Sequence, residues 1–341
     1  YSGNISNSGS LLLASNSDQI LGGVISGTGA LTKNGSGTLT LTGANNYSGT
    51  TTLNAGTLVI GNTAAAGSGS IVQTSNASVL KVDVTGTINN AMSFYTMQAS
   101  QNATLAGAQT VNNASFQVND NRTLTISGNI GGSGGVTKNG NGTLVLSGNN
   151  SYANATIINA GTLSAASAGA LGSNNTVQVN GGTLLVSANS SINGMNITLG
   201  NNTTSTVGTL SFNSEYNGTI GALTLSANSI IDMGNYNIGA EFADLAMGIY
   251  NLSIYNWTGT TLWEGGTGAD QDRISFGGGL SDSELGRISF YSDFGSGFLG
   301  TGFELSNNQI IPVPEPETYA TGILLVLGGA WWMWKRKPKA V

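Results

Sequence analysis

Asp270 and Asp272 stand two apart in the stretch GADQDRISF, Gly268 to Phe276. On a strand they share a face, and two carboxylates on one face can hold a hard cation through oxygen. No Asp-Gly-Glu loop follows to close a cage. Solvated surface acids, or an ion pair to Arg273 or Arg287, are the simpler reading, and no metal site is assigned. Glycoside hydrolysis needs two carboxylates a few ångströms apart over a groove. Residues 84–240 offer Asp120, Glu215 and Asp232, scattered and without period. A carbohydrate-active enzyme therefore stands as an alternative, with its carboxylates in the acidic segment beyond residue 240. Lys33 and Lys138 occupy equivalent positions of a repeat, as do Tyr47 and Tyr152. Stacked lysines would make a binding stripe, but a turn lysine that blunts pairing with other chains is the expected role. The tyrosines are expected to pack, with glycan stacking as the lesser alternative.

Composition removes most other chemistry. The chain has 341 residues with no Cys and no His. Thiol and imidazole catalysis, haem ligation and structural zinc sites are excluded. No catalytic residue, cofactor or metal is expected, and the chain is read as not an enzyme. Charged residues make up 8%, and the net charge is −6. Phosphate neutralisation needs a basic surface, so nucleic acid is not a partner. Yet 39% of the chain is apolar, with 52 glycines. Leu, Val, Ile and Ala set among Thr, Ser and Asn make a strand-and-turn composition rather than a disordered one. The chain begins at Tyr1 with no charged-then-apolar leader, which fits either a removed signal peptide or a fragment.

The elements follow from repetition. Gly27 to Leu58 and Gly132 to Leu163 align without a gap at an offset of 105, with 19 of 32 positions identical. Within each copy Gly-Thr-Leu recurs after 19 residues, at Gly37 and Gly56 and at Gly142 and Gly161. Leu39/Leu41 and Leu144/Leu146 alternate with polar neighbours, the period of a half-buried strand. Asn-Gly pairs such as Asn34-Gly35 and Asn139-Gly140 supply the turns. An antiparallel sandwich and a parallel solenoid both fit; the ~20-residue spacing and the proline-free body favour the solenoid. At that spacing the body makes roughly 15 coils, with Leu39, Leu41, Leu58, Leu144, Leu146 and Leu163 inside.

These two segments resemble the autotransporter-associated β-strand repeat. Lys33, Gly35, Gly37, Thr38, Leu39, Leu41, Gly43, Asn45, Tyr47, Gly49, Thr51 and Gly56 match its pattern, and Asn154 departs from it in the second copy. The resemblance implies a secreted, passenger-like right-handed parallel β-helix. The fold class expected is thus all-β, a right-handed parallel β-helix with a C-terminal cap and one C-terminal transmembrane helix. The β-helix region covers 1–240 and terminal coils with a cap cover 241–311. Nine of the sixteen acids and many aromatics fall between Glu241 and Glu304, as a solenoid cap would need. Ser281 and Glu284 form a capping box for a short helix before RISFY.

All four prolines, Pro312, Pro314, Pro316 and Pro338, lie in the tail. The first three should keep the approach extended and out of any sheet. Thr318 to Trp334 is an uncharged run that as a helix spans ~25 Å, at the short end for a bilayer. Trp331, Trp332 and Trp334 sit where an interfacial belt would. Lys335, Arg336, Lys337 and Lys339 then form a basic stop that holds the tail in the cytoplasm and the body outside. A linker at 312–318, a membrane helix at 319–334 and a basic tail at 335–341 are the expected parts. Val313, Pro314, Glu315 and Pro316, then the apolar run, then the basic cluster, resemble the PEP-CTERM sorting signal. That resemblance implies recognition and removal by an exosortase at the inner membrane of a diderm bacterium, and association with exopolysaccharide. The expected function is an exported surface or biofilm-matrix structural, adhesin-like protein. An autotransporter passenger fragment is the other alternative. Such a passenger needs a translocating barrel, whereas this sequence closes on a short apolar run.

Overall fold

Thr38–Leu41 and Thr143–Leu146 alternate half-buried outward residues with fully buried leucines, as β-branched and aliphatic residues do on a pleated strand. A single strand of this length cannot bury its apolar face alone, so it stacks on the next copy of itself. The computed structural model describes residues 1–258, 272–293, 297–305 and 308–313, and shows that stacking throughout. Successive coils pair in parallel: Leu39 with Leu58, Leu58 with Leu80, and Leu80 with Met97. The chain is a parallel β-solenoid, not a sandwich of hairpins.

Three ladders run along the rod. The first joins Ser10–Leu13, Ala30–Lys33, Thr51–Leu53 and Ile71–Gln73, and passes through the early halves of Met92–Ala99 and Gln109–Val118 to Ile130–Gly131. The second starts at Gln19–Leu21 and Thr38–Leu41 and ends in Ile238–Ala246, stacking twelve strand segments. The third runs from Gly86–Ile88 to Ile288–Tyr291. The rod therefore has about 12 turns, fewer than the expected 15, because coil length is not constant. Leu39 and its partner Leu58 are 19 positions apart, Leu199 and Leu225 are 26, and Ile254 and Phe290 are 36. After Leu199 the extra residues turn at a corner, with Asn201 bridged to Thr206, and add no layer. At about 4.8 Å per layer the rod is about 55 Å long.

The core is a set of in-register columns. Leu124, Leu144, Leu163, Leu184 and Leu210 stack in one, all fully buried. The six leucines expected inside are all at 0% exposure.

The two copies of the repeat are out of phase with the coils. Five ladder steps carry Leu31 through Thr51, Ile71, Met92 and Gln109 to Ile130, which is 99 positions, not 105. The remaining six residues move the second copy onward by one ladder. Thr38–Leu41 lies on the second ladder and Thr143–Leu146 on the third. Equivalent residues thus face different sides of the rod.

The C-terminal end is closed by reversal of strand direction. Phe298–Glu304 pairs antiparallel with Ile288–Tyr291, the last strand of the third ladder. Gln309–Val313 pairs antiparallel with both Phe298–Glu304 and Arg273–Phe276. The short helix Asp282–Leu285 precedes it and carries the expected reciprocal capping box between Ser281 and Glu284. One expectation is corrected here. Pro312 and Val313 are in the sheet, paired with Gly302 and Thr301. Pairing with Arg273–Phe276 stops at Ile310, so Pro312 needs partners on one side only, where a missing N–H is tolerated.

Leu144→Ala should lower unfolding free energy by ~2–5 kcal/mol, because the cavity lies between Leu124 and Leu163 and neither can move off its ladder. The outward Thr143→Ala should stay within about 0.5 kcal/mol. Chemical denaturation of both variants checks the difference. Equal effects would reverse the assigned facing.

Candidate functional site

The corners decide what the repeat residues do. Between strands the ladder is interrupted, and main-chain groups that point inward have no strand partner. Lys33 and Lys138 fill that need. They are 2% and 0% exposed, so the expected surface role is overturned. Lys138 Nζ donates to the carbonyls of Asn139 at 2.9 Å and Gly140 at 2.6 Å in its own corner, and of Ala160 at 3.1 Å in the next coil. Lys33 Nζ donates likewise to Gly35 and, at 3.3 Å, to Ala55. The glycine after each of these alanines is in the left-handed region, with φ +70° at Gly56 and +65° at Gly161. A Cβ at Gly161 would lie 2.5 Å from the carbonyl oxygens of Gly140 and Gly142, so the Gly of Gly-Thr-Leu is required for the coils to approach.

Asn45 and Asn150 clamp a second corner. Their side-chain oxygens accept from the amides of Ile25 at 2.7 Å and Ile130 at 2.8 Å, one coil back. Their Nδ2 groups donate at 2.6 Å to the carbonyls of Ala65 and Ala170, one coil forward. Tyr47 and Tyr152 are fully buried, as expected for packing residues, and share a hydroxyl bond with Thr51 and Thr156. The shared lysine, the shared corner asparagine Asn45/Asn150 and the shared tyrosine thus serve the interior, while the shared Asn54 and Asn159 bond on the surface to Asn34 and Asn139 one coil back.

Both segments match the passenger-associated-transport-repeat family, over residues 31–60 and 136–165. The chain is also 39% identical over 145 residues to the adhesin BmaC autotransporter of Brucella suis biovar 1 (strain 1330). That alignment covers 41% of this chain and 4% of the relative, so the chain spans a small fraction of that protein's length. No solved structure matches the chain. The chain is thus similar to passenger repeats in two segments and to an autotransporter adhesin over part of its length.

Neither passenger repeat contributes a reactive group. Lys33 and Lys138 lie on different ladders and form no stripe. Two shallow hollows lie on the described surface, of about 300 and 420 Å³. Thr85, Thr87, Asn102 and Thr104 line one, and Asn113, Thr137, Asn154 and Thr176 the other. Such walls offer hydroxyl and amide hydrogen bonds and no charge.

Of the acidic candidates, Asp120 and Glu215 are exposed and far apart in the chain, while Asp232 and Asp272 are engaged. Asp232 accepts from Ser211, Gly234 and Asn256. Asp272 is neither a surface acid nor an ion-pair partner: it is 1% exposed and accepts from the amides of Ile238 and Thr258 and the Thr258 hydroxyl. Burial pushes its carboxyl above the usual range, against those three bonds. Asp270 lies outside the described residues. Among the described residues no three acids come together to hold a metal. Of the sorting motif, Val313 ends the last strand, while Pro314, Glu315 and Pro316 lie outside the described residues, as do Lys335, Arg336, Lys337 and Lys339. Among the described residues no helix is long and apolar enough to cross a membrane; the run 319–334 is not among them.

The burial of the lysines could have been found from the sequence. Lys33 stands two residues after Leu31, and Lys138 two after Val136, so each shares its strand's inward face. Gln73, stacked on the same column as Lys33, carries no repeat signature and does the same job. Its oxygen accepts from the amides of Tyr95 and Thr96, one coil on.

Burial pushes the Lys138 ammonium down to about 8, and Lys33 also downward. It pushes the hydroxyls of Tyr47, Tyr152 and Tyr216 upward. Between about 8 and the unfolded lysine value of about 10.4 the unfolded chain holds more protons, so stability rises with pH. Above about 10 unfolded tyrosines ionise while the buried ones keep their protons, so stability falls. The melting temperature should therefore climb from about pH 8 and turn over above about pH 10. Lys138→Met should flatten the climb and, by orphaning three carbonyls at ~1–3 kcal/mol each, lower stability at neutral pH. A monotonic fall in melting temperature from pH 8 would rule out the lysine assignment.

Proposed function

We propose that the protein is a non-enzymatic, exported, passenger-like adhesin rod, wound right-handed as parallel crossovers favour. It stands at the cell surface or in the extracellular matrix. The observation that carries this reading is the division of labour in the passenger repeats. Their lysine, asparagine and tyrosine groups are consumed in holding coils together, which leaves an outer surface of Thr, Ser and Asn. Such a surface works by extended, many-point contact and not by turnover. Similarity to an autotransporter adhesin supports the same role.

The tail would deliver the rod. Val313, Pro314, Glu315 and Pro316 are proposed as an exosortase recognition segment, 319–334 as a membrane helix with the body outside, and Lys335, Arg336, Lys337 and Lys339 as the cytoplasmic stop. Exopolysaccharide is the matrix partner this implies.

Expression in a diderm host carrying an exosortase tests both parts. Cells bearing the wild-type rod should attach to surfaces more than cells lacking residues 27–165, and the surface form should have lost Trp331 to Val341 by mass spectrometry. Replacement of Pro314, Glu315 and Pro316 by Ala should leave a full-length, membrane-bound precursor. Loss of the four basic residues should instead give mis-insertion. A wild-type surface form that keeps its tail would make the tail a permanent anchor. Equal attachment with and without the repeats would end the adhesin reading.

A further inference from the structure

The larger of the two hollows, about 420 Å³, is made by an irregularity in the second ladder. Val111 and Ser115 pair with Phe94 and Thr96, four steps along Gln109–Val118 against two along Met92–Ala99. The bulge turns Asn113 outward in the left-handed region, at φ +58°, which asparagine tolerates. Beyond it Ala114, Val136, Thr156 and Val177 are paired layer on layer and are buried. The residues just before them, Asn113, Gly135, Ala155 and Thr176, therefore line up on the outside. The middle two bring little or no side chain. A Cβ at Gly135 would lie 2.4 Å from the carbonyl oxygen of Ala155, so that layer must stay bare. The result is a trough closed by Asn113 at one end and Thr176 at the other, three layers or about 14 Å apart.

Hydrogen bonds hold one side of the trough. Asn113 Oδ1 accepts from the Gly135 amide at 3.0 Å and, across the bare layer, from Asn154 Nδ2 at 3.3 Å. Asn154 is where the second copy departs from the repeat pattern, and Gly49 stands there in the first. Thr137 and Ile157, both half-buried, form the other side from the next outward column. Each bonded asparagine keeps one group unused, the Nδ2 of Asn113 and the Oδ1 of Asn154. Among the described residues nothing bonds these two groups or the hydroxyls of Thr137 and Thr176. No residue lining the trough is charged.

We propose that this trough binds a neutral polysaccharide, with a short run of its sugar rings laid along the rod. One amide donor, one amide acceptor and two hydroxyls that can do either are what a ring bearing several hydroxyls requires. The aliphatic surface of Ala155 and Ile157 suits the C–H face of the same ring. An anionic sugar would find no cation to pair with and would lose hydration for nothing. The volume falls within the ~300–1,000 Å³ of small-ligand sites, with an apolar wall and a few placed polar groups as such sites have. Gly49 leaves the first copy without the Asn154 amide, so the trough belongs to the second copy alone. The proposal gives the exopolysaccharide named above a place on the rod, and rests on that reading only for the source of the sugar. Purified protein and soluble sugars answer it whether or not cells attach.

Saturation-transfer NMR and titration calorimetry of the full chain in mild detergent are the test, with cellotetraose, maltotetraose, mannotetraose and the acidic tetragalacturonate as probes. At least one neutral sugar should bind, and the acidic one should not. Asn154→Gly restores the residue of the first copy, so the fold tolerates it while the trough loses an acceptor. Thr137→Val keeps the shape of the wall and loses its hydroxyl. Each should weaken binding roughly tenfold with an unchanged melting temperature. Thr104→Val, in the other hollow, should leave binding as it is. Failure of every neutral sugar to bind overturns the proposal. So does binding that survives both trough substitutions or is lost with Thr104→Val. Tetragalacturonate, or an uncharged glycine-serine peptide, binding as well as the best neutral sugar overturns it too.

Discussion

A main-chain carbonyl or amide that points into a corner of this rod has neither a strand partner nor water. Left alone, each such group would cost about 1–3 kcal/mol. Everything else in the structure depends on how those corners are satisfied. Asn45 and Asn150 bond one coil back and one coil forward. Lys33, Gln73 and Lys138 reach from one corner to the next. With the corners satisfied, strands mostly three to five residues long can stack into columns, and the core is filled by files of buried side chains, two to a strand in Thr38–Leu41 and Thr143–Leu146.

That solution determines what is left for the outside. The polar groups with the strongest chemistry are turned inward, and two of the few cations in the body are used as structural donors. The surface inherits hydroxyls, amides and scattered aliphatics. Acids and aromatics concentrate where the parallel ladders end. There Trp257 packs on Phe290, Tyr255 on Tyr291, and strands of opposite direction cover the open edges. A rod with this distribution suits contact spread over many weak points, which fits its relation to an autotransporter adhesin.

Much of the fold was legible because its signals are local. Period-two alternation put Leu39, Leu41, Leu144 and Leu146 on the inward face, and the 19-residue Gly-Thr-Leu spacing matches one ladder step. What was not legible depends on non-local geometry. The number of coils was overestimated, since the corner excursion after Leu199 and the antiparallel closing strands at the C-terminal end leave no periodic mark. Lys33 and Lys138 were assigned to the surface by residue type, although the alternation that placed the leucines also placed them inside. Asp272 looked like a surface acid because its donors, Ile238 and Thr258, come from other parts of the chain. Pro312 looked incompatible with a sheet, and only the early end of the neighbouring strand explains its place.

The repeat copies differ by five coils plus one ladder, and both nevertheless keep their lysine, asparagine and tyrosine bonds. These bonds do not depend on which side of the rod the repeat occupies, because they are made within its own coil or to the coil directly before or after it. The two copies are offset by a third of a turn beyond whole coils, and both keep the fold. Gene duplication in such a chain is freed from the helical count. It can lengthen the rod while rotating the inherited segment to a new aspect, so one ancestral module comes to display its outward residues in several directions.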